Sequence, residues 1–189
     1  MSADFAAERM IMVDSQVRTQ DVTDAALIDA IRRVPRETLL PAARAYQAYA
    51  DAEVEYANGR WMLSPRDVAK LLQALKPRPG ERALAISAPY AAAVMRTMGL
   101  SVTERDAKDA AALGGPFDLI VCEGAVAKAP ADWLSALGVD GRLGVVERDG
   151  PVGRAMLYLR APGTVGGRPL FDSTPPMMAG FEAQRAFVF

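Results

Sequence analysis

The sequence predicts an α/β fold in which an open sheet is covered by helices. Two observations predict it. From Arg82 onward, short apolar runs alternate with helical stretches, which is the pattern of strands joined by crossover helices. Before that point, apolar residues recur at helical spacing instead. The chain has 189 residues, enough for one domain, in which we expect an amino-terminal helical part (1–76) and a sheet core (77–189).

The amino-terminal part is predicted to be mainly helical. Thr23 can cap one helix and Pro35 stops it, while Ser64, Pro65 and Asp67 form a clear helix start, because they supply a cap, a first helical residue and a negative charge near the helix dipole. Helices are expected at residues 3–17, 22–34, 42–49 and 64–76. The segment 51–62 is expected to be irregular or hairpin-like.

The sheet core is predicted from short apolar runs and from the Gly, Pro and Asp residues that separate them. Strands are expected at residues 82–86, 100–104, 117–122, 142–147 and 155–160, with helices at 89–98 and 130–137. The last two of these strands flank Asp149 and Gly150, which predicts an antiparallel pair joined by a turn. Residues 161–180 are rich in Gly and Pro and are expected to form a surface loop, and residues 185–189 are a candidate for a final strand.

Composition and charge exclude several classes of function. Lys and Arg number 22 against 23 Asp and Glu, a net charge of -1, which does not predict binding to nucleic acid or to a membrane surface. No apolar run reaches the roughly 18 residues of a membrane-spanning helix, and the first ten residues lack the pattern of a signal peptide. We therefore expect a cytoplasmic protein. The single cysteine, Cys122, lies in an apolar run and is expected to be a small buried residue.

The chain contains no histidine, the residue that most often acts as a general base near neutral pH and as a metal ligand. Serine or cysteine catalysis through histidine and zinc-dependent hydrolysis are therefore excluded. Without a cluster of Cys and His or a calcium-loop pattern of carboxylates, no metal site is expected.

A series of short motifs in the first fifty residues resembles the amino-terminal region of the protein-L-isoaspartate O-methyltransferase family. The motifs are MVDSQVR at 12–18, VTD at 22–24, VPRE at 34–37, LP at 40–41 and YAD at 49–51. Downstream, the segments 78–84, 117–121 and 141–143 resemble the regions of the family's first, fourth and fifth strands. The resemblance implies a Rossmann-like, S-adenosylmethionine-dependent methyltransferase sheet with helices on both faces and an antiparallel pair at one edge.

The family methylates the side-chain carboxylate of L-isoaspartyl residues in damaged proteins, so this activity is what the resemblance implies. The reaction displaces a neutral thioether with an existing carboxylate, and catalysis then consists mainly of holding the two reactants in line. Such a reaction does not require histidine.

Two departures from the family affect the cofactor site. The turn after the first sheet strand, ISAPYA at 86–91, contains no glycine, although the ligand approaches the backbone there in such folds. Only residues 105–116 separate the second strand from the next one, and a crossover unit with an added strand needs roughly 30 residues. The third strand region is therefore predicted to be deleted, and residues 107–113 could form at most a two-turn helix. The second strand would become an exposed edge that could pair with a protein partner or a second copy.

The remaining site candidates come from the resemblance. Glu104, at the end of the second strand, corresponds to the acidic residue that binds the ribose hydroxyls, and Ser64 to a serine near the methyl-accepting carboxylate. Ser87, Ala88 and Glu123 lie where the sheet would contact the cofactor if binding is retained. Each also has a structural interpretation: Ser64 as a helix cap, Ser87 as a cap in an ordinary strand-to-helix turn, and Glu104 as a solvated residue.

The sequence therefore predicts a degenerate family member that has lost S-adenosylmethionine and serves as a binding or regulatory module. The alternative hypothesis is an active protein-L-isoaspartate O-methyltransferase that uses S-adenosylmethionine.

Overall fold

The computed structural model describes residues 4–183, without the side chains of 110–112. Five α-helices lie in this part of the chain: α1 (Phe5–Met12), α2 (Ala25–Arg33), α3 (Pro65–Leu75), α4 (Pro89–Thr97) and α5 (Ala131–Ser135). The eight strands are β1 (Val54–Ala57), β2 (Arg60–Met62), β3 (Arg82–Ile86), β4 (Ser101–Arg105), β5 (Phe117–Val126), β6 (Leu137–Arg148), β7 (Gly153–Ala161) and β8 (Thr164–Asp172). None of the helices is long and apolar enough to cross a membrane.

The main sheet has six strands in the order β4-β3-β5-β6-β7-β8, and β1 and β2 form a separate hairpin. The first four strands of this order are parallel, whereas β7 and β8 are antiparallel additions. The parallel arrangement directs the carboxyl ends of β3, β4 and β5 to one edge, where α/β proteins bind ligands. The predicted Rossmann-like sheet and its antiparallel pair are confirmed.

The deletion predicted between the second and third core strands is also confirmed. Only a short 3₁₀ segment, Ala107–Ala112, connects β4 to β5 within the chain. No other strand of the described residues pairs with the outer side of β4, which is therefore an edge. The predicted two-turn crossover is thus a tighter helix than an α-helix, since 3₁₀ geometry suits short connections.

The two faces of the central strands pack into different apolar clusters because successive side chains of a strand alternate between faces. Ala83 and Ala85 of β3 contact the cluster formed with α1 to α4 and the amino-terminal segment. Leu84 and Ile86 contact the second cluster, which is centred on Trp133 of α5 and on the 3₁₀ segment. One face thus has a thick helical layer and the other a thin one.

Helix α3 begins as the sequence predicts and packs closely against the sheet at Gly144. The Ser64 hydroxyl accepts the backbone N–H of Asp67 at 3.3 Å, and Pro65 occupies the first helical position. Opposite the helix, β6 carries Gly144, where an added Cβ would lie 2.8 Å from Leu75 Cδ1 and 3.0 Å from Leu71 Cγ. The absence of a side chain at Gly144 therefore sets the distance between helix and sheet.

Several predicted elements differ from the structure. The helix expected at 22–34 begins at Ala25 and is capped by Asp24 instead of Thr23, and the helix expected at 42–49 is a 3₁₀ helix over Ala42–Gln47. The surface loop expected at 161–180 is wrong for its first half, because Thr164–Asp172 forms β8. The prediction treated Pro169 as evidence against a strand, because proline cannot donate a hydrogen bond to a neighbouring strand. β8 is an edge strand, however, where proline is tolerated. The helix expected at 3–17 is α-helical only over Phe5–Met12 and continues as a π-turn over Val13–Val17. The strand predicted at 185–189 lies outside the described residues.

We expect Gly144→Ala to destabilise the protein by about 1 to 3 kcal/mol, because a methyl group at this position overpacks the interface between α3 and β6. Urea unfolding of the variant and the wild type measures the effect. Gly166→Ala is the matched control: it also places alanine in a strand, but no atom lies within 4 Å of the added Cβ. Equal stability of the two variants would contradict the close approach of helix and sheet.

Candidate functional site

A cavity of about 220 Å³ lies at the carboxyl ends of β3 and β4. Both strands run parallel, so the residues that follow them meet at the same edge. The hairpin of β1 and β2 covers one side of the cavity through Tyr56. The cavity is lined by Tyr56, Ala85, Ser87, Ala88, Pro89, Glu104, Arg105 and Asp106. Three of the predicted cofactor-binding residues, Ser87, Ala88 and Glu104, therefore lie together in it.

The turn after β3 has a left-handed backbone conformation, which glycine usually supplies, at the serine Ser87. Ser87 has a φ of 46°, in the left-handed region that side chains with a Cβ rarely adopt. Its N–H donates to the Arg105 carbonyl at 2.8 Å, and its hydroxyl accepts the Ala107 N–H at 3.0 Å. These two bonds tie the turn to the end of β4 and offset the cost of the left-handed conformation. Ser87 is therefore a structural link as well as a residue of the cavity wall.

The amino terminus of α4 follows this turn, and its free N–H groups are already bonded. Pro89 is the first residue of the helix and has no N–H. The N–H groups of Tyr90 and Ala91 both donate to Glu123 Oε1, at 3.1 Å and 2.9 Å. The Ala88 side chain forms no cap, so the Glu123 carboxylate takes the role of a helix cap from a different strand.

Glu123 is fully enclosed near the carboxyl end of the central strand β5, where only 1% of it is exposed. Its Oε2 accepts a third backbone hydrogen bond, from Leu63 N–H at 2.9 Å. Burial raises the pKa of Glu123 to about 6, although the charge of Arg36 and the three N–H donors oppose this shift. The carboxylate therefore joins α4, the segment before α3 and the sheet.

Arg36 is the second buried charge beside this cluster. Its side chain is completely enclosed, stacks over the Tyr90 ring at 4.5 Å and donates from Nη2 to the Leu63 carbonyl at 2.6 Å. Burial lowers the pKa of Arg36, and the nearby Tyr90 and Glu123 oppose that shift. Its Nε and Nη1 have no hydrogen-bond partner. Arg36 and Glu123 thus bond to the backbone of the same residue, Leu63, through its carbonyl and its N–H respectively.

The carboxylates at the end of β4 are paired rather than free. Glu104 forms an ion pair with Arg96 at 2.6 Å, and 45% of its side chain is exposed. Asp106 accepts two bonds from Arg60, at 2.6 Å and 2.9 Å. The hydrogen bond from Arg60 is the main reason that the pKa of Asp106 falls to about 2. Glu104 lines the cavity, and its partner Arg96 is itself 48% exposed.

Ser64 is placed as a helix cap and only 2% of it is exposed. It is not among the residues that line the cavity at β3 and β4. Its neighbour Asp67, also buried, accepts the Ser173 hydroxyl at 2.6 Å and the Arg66 Nε at 3.0 Å. In this conformation the segment around Ser64 therefore anchors α3 to the chain after β8.

The cavity suits part of an S-adenosylmethionine molecule but not all of it. Glu104 has the position and exposure to accept hydroxyl groups of a ribose. The amino-acid end of the cofactor carries a carboxylate, for which a helix amino terminus is the usual site; here the N–H groups of Tyr90 and Ala91 are bonded to Glu123. The cavity of about 220 Å³ is also smaller than the roughly 300 Å³ at the lower end of ligand pockets. As arranged in this structure, the cavity accounts for the ribose end of the cofactor, and the N–H groups of Tyr90 and Ala91 are not free for its carboxylate.

Sequence reasoning missed two groups of this cluster. Arg36 is flanked by the exposed Pro35 and the charged Glu37, so the local sequence gives no signal that its side chain is buried. The Arg60–Asp106 pair joins residues 46 positions apart, and no local pattern predicts such a contact. Within the described residues, no group of three or more His, Cys, Asp or Glu side chains could hold a metal ion. Cys122 is buried, as expected, and burial raises the pKa of its thiol.

The sequence is similar to a set of methyltransferases. The family model described as Protein-L-isoaspartate(D-aspartate) O-methyltransferase matches residues 7–108. A protein named Protein-L-isoaspartate O-methyltransferase from Methylorubrum populi is 36% identical over 181 residues, which cover 81% of this chain and 85% of the relative. A protein of the same name from Methylorubrum extorquens is 35% identical over 198 residues, covering 90% of this chain and 85% of the relative.

Solved structures share the fold at low sequence identity. One described as protein-L-isoaspartate O-methyltransferase superimposes with a TM-score of 0.71 at 18% identity and covers 91% of this chain and 66% of that chain. Another, a putative protein-L-isoaspartate O-methyltransferase from Plasmodium falciparum in complex with S-adenosyl-L-homocysteine, gives a TM-score of 0.70 at 14% identity and covers 90% of this chain and 97% of that chain.

We expect Ser87→Gly to be more stable than Ser87→Ala by about 1 kcal/mol. Both changes remove the hydrogen bond to the Ala107 N–H, but only glycine relieves the left-handed backbone. Thermal unfolding of the two purified variants measures the difference. An alanine variant as stable as the glycine variant would show that the turn does not hold a left-handed residue.

Glu123 should make stability fall as the pH rises from about 4.5 to about 6. Its pKa in the folded protein, about 6, lies above the ordinary value of 4.5, so the folded state binds the proton more tightly than the unfolded state. This contribution, on the order of 2 kcal/mol, is fully present below pH 4.5 and is lost as the pH rises through 6. Urea unfolding across this range should show the slope in the wild type and in Asp149→Asn, an exposed turn variant, but not in Glu123→Gln.

Proposed function

Because the chain belongs to the protein-L-isoaspartate O-methyltransferase family, we propose that it transfers a methyl group from S-adenosylmethionine to isoaspartyl carboxylates of proteins. The observation that carries the proposal is the likeness to relatives named for this activity, which extends over 81% of the chain at 36% identity. A likeness of this length includes both the helical amino-terminal part and the sheet. We therefore propose both the cofactor, S-adenosylmethionine, and the substrate, an isoaspartyl carboxylate, from the same likeness.

The geometry supports this proposal at the carboxyl edge of the sheet. The cavity between β3, β4 and the β1–β2 hairpin lies where α/β folds bind ligands. Glu104 lines it and remains half exposed. The cofactor would supply the methyl group, and the protein would contribute positioning, since the attacking carboxylate needs no general base.

Of the two hypotheses drawn from the sequence, this proposal adopts the alternative, an active methyltransferase, in place of the degenerate binding module. The predicted loss of cofactor binding depended on a turn without glycine and on a missing strand. The relatives favour the active alternative, because proteins that share most of this sequence are named as methyltransferases. With this activity we also propose a role in protein repair, and we keep the cytoplasmic location as a separate proposal from the sequence.

A second candidate function, a binding or regulatory module, is favoured by one specific observation. The Glu123 carboxylate occupies the N–H groups at the amino terminus of α4, so the described conformation lacks the usual donors for the cofactor's amino-acid end. A partner could then pair with the exposed edge strand β4. The five residues of β4 include Glu104 and Arg105, and charged residues on a short edge disfavour unselective pairing.

Methyl transfer to a synthetic isoaspartyl peptide decides between the two candidates. We expect purified protein to transfer a labelled methyl group from S-adenosylmethionine to this peptide and not to the same peptide with an ordinary aspartate. S-Adenosylhomocysteine should inhibit the transfer. A preparation that is folded but transfers no label at any cofactor concentration would reject the enzyme and leave the binding module.

Glu104→Gln should raise the KM for S-adenosylmethionine about tenfold, because one weakened hydrogen-bonded contact with a charged group corresponds to roughly 1.5 kcal/mol. The kcat should change less, since a contact with the ribose hydroxyls would not act on the transferred methyl group. Steady-state kinetics measure both values. Asp172→Asn is the control: it removes an exposed, ion-paired carboxylate at the opposite edge of the sheet. Equal kinetic changes in both variants would argue against a cofactor contact of Glu104.

A further inference from the structure

We propose that Glu123 is an autoinhibitory internal ligand, whose carboxylate occupies the place that the carboxylate of S-adenosylmethionine requires at the amino terminus of α4. The cofactor must then displace Glu123 before it can bind. This inference rests on the proposed function for the identity of the ligand. It assigns Glu123 the opposite role from the one that the sequence predicted, which was a direct contact with the cofactor.

The first argument is the saturation of the donors. Pro89 removes one N–H from the first turn of α4, so the first two available donors are those of Tyr90 and Ala91. Both point to a single oxygen, Glu123 Oε1. Helix amino termini bind anions through these groups and through the helix dipole. A second carboxylate therefore finds these two donors already bonded and meets a negative charge in the same place.

The second argument is the geometry of the chain around Glu123. The residue lies near the carboxyl end of β5, next to β3 in the sheet, and hence beside the turn that lines the cavity. Gly124 follows it with a φ of 118°, a conformation that favours glycine. The strand is irregular at this point, because its register with β6 shifts between Val121 and Ala125, and the Glu123 side chain bonds to the first turn of α4. The position of the Glu123 side chain is therefore fixed by burial and by bonds at both carboxylate oxygens.

The third argument is a place for the displaced carboxylate. Arg36 is the main opposite charge acting on Glu123, and its Nε and Nη1 are buried without partners. A buried guanidinium with unbonded N–H groups is unfavourable. A Glu123 side chain that leaves the α4 N–H groups can bond to these donors. The exchange replaces hydrogen bonds of Glu123 with an ion pair, so the protein need not leave a carboxylate buried and unbonded when the cofactor enters.

Calorimetric titration with S-adenosylhomocysteine and with adenosine tests the inference. Glu123→Ala should bind S-adenosylhomocysteine at least tenfold more tightly than the wild type, because its α4 donors are free. Adenosine has no carboxylate and should bind both proteins with similar affinity. Glu123→Gln keeps the shape and removes the charge, so it should give a smaller gain. Circular dichroism and thermal unfolding establish that each variant is folded.

Loss of Glu123 leaves the Arg36 charge buried, and Glu123→Ala could fail to fold for this reason. The double variant Arg36→Met and Glu123→Ala avoids the unpaired charge, with Arg36→Met alone as its reference. A buried ion pair replaced by apolar side chains is often tolerated. The same tenfold gain for S-adenosylhomocysteine over the reference, without a gain for adenosine, is expected.

The outcomes separate this inference from the proposed function. Equal affinity of wild type and Glu123→Ala for S-adenosylhomocysteine would overturn the inference and leave the enzyme proposal intact. A gain in Glu123→Ala without methyl transfer by the wild type would support the inference and reject the enzyme. If no protein binds S-adenosylhomocysteine, both proposals are wrong. A parallel gain for adenosine would also overturn the inference, since it would show a general opening of the cavity.

Discussion

The fold depends on the backbone of one residue, Leu63, whose carbonyl and N–H are each bonded to a buried charged side chain. Arg36 donates to its carbonyl and Glu123 accepts its N–H. Neither charge is stable in an apolar interior without such partners. These two contacts, which we call the Leu63 clamp, join the amino-terminal segment, the start of α3 and the central strand. Both charged side chains also contact Tyr90 and so hold α4 in place. The relative position of the helices at the ligand edge follows from these few bonds.

The same bonds explain why the edge of the sheet differs from an open cofactor site. A glycine-rich turn leaves space and free N–H groups, whereas here Ser87 bonds to the neighbouring strand and Glu123 caps the helix. In each case a side chain of the protein itself accepts backbone N–H groups, which are then not free for a ligand. The site is therefore ordered without a ligand, and a ligand has to compete with internal contacts for the same donors.

Most of the fold was predictable because it depends on local signals. The cap at Ser64, the prolines at helix starts and the apolar runs of the strands determine elements within a few residues. The deletion after β4 was predictable from a residue count alone. Strand β8 was missed, since its Gly and Pro residues are typical of loops and its pairing is decided by β7. At the site, the positions of Ser87 and Glu104 were predictable from strand ends, but the triple hydrogen bond of Glu123 was not, because its donors lie 32 to 60 residues away.

The Leu63 clamp also imposes an order on folding. Leu63 and Glu123 are 60 residues apart in the chain, so the contact closes a long loop and forms late compared with the helices. Until β5 has been synthesised and paired, Arg36 lacks its neighbouring negative charge and the first turn of α4 lacks its cap. The amino-terminal third can therefore complete its buried contacts only after the centre of the sheet is in place.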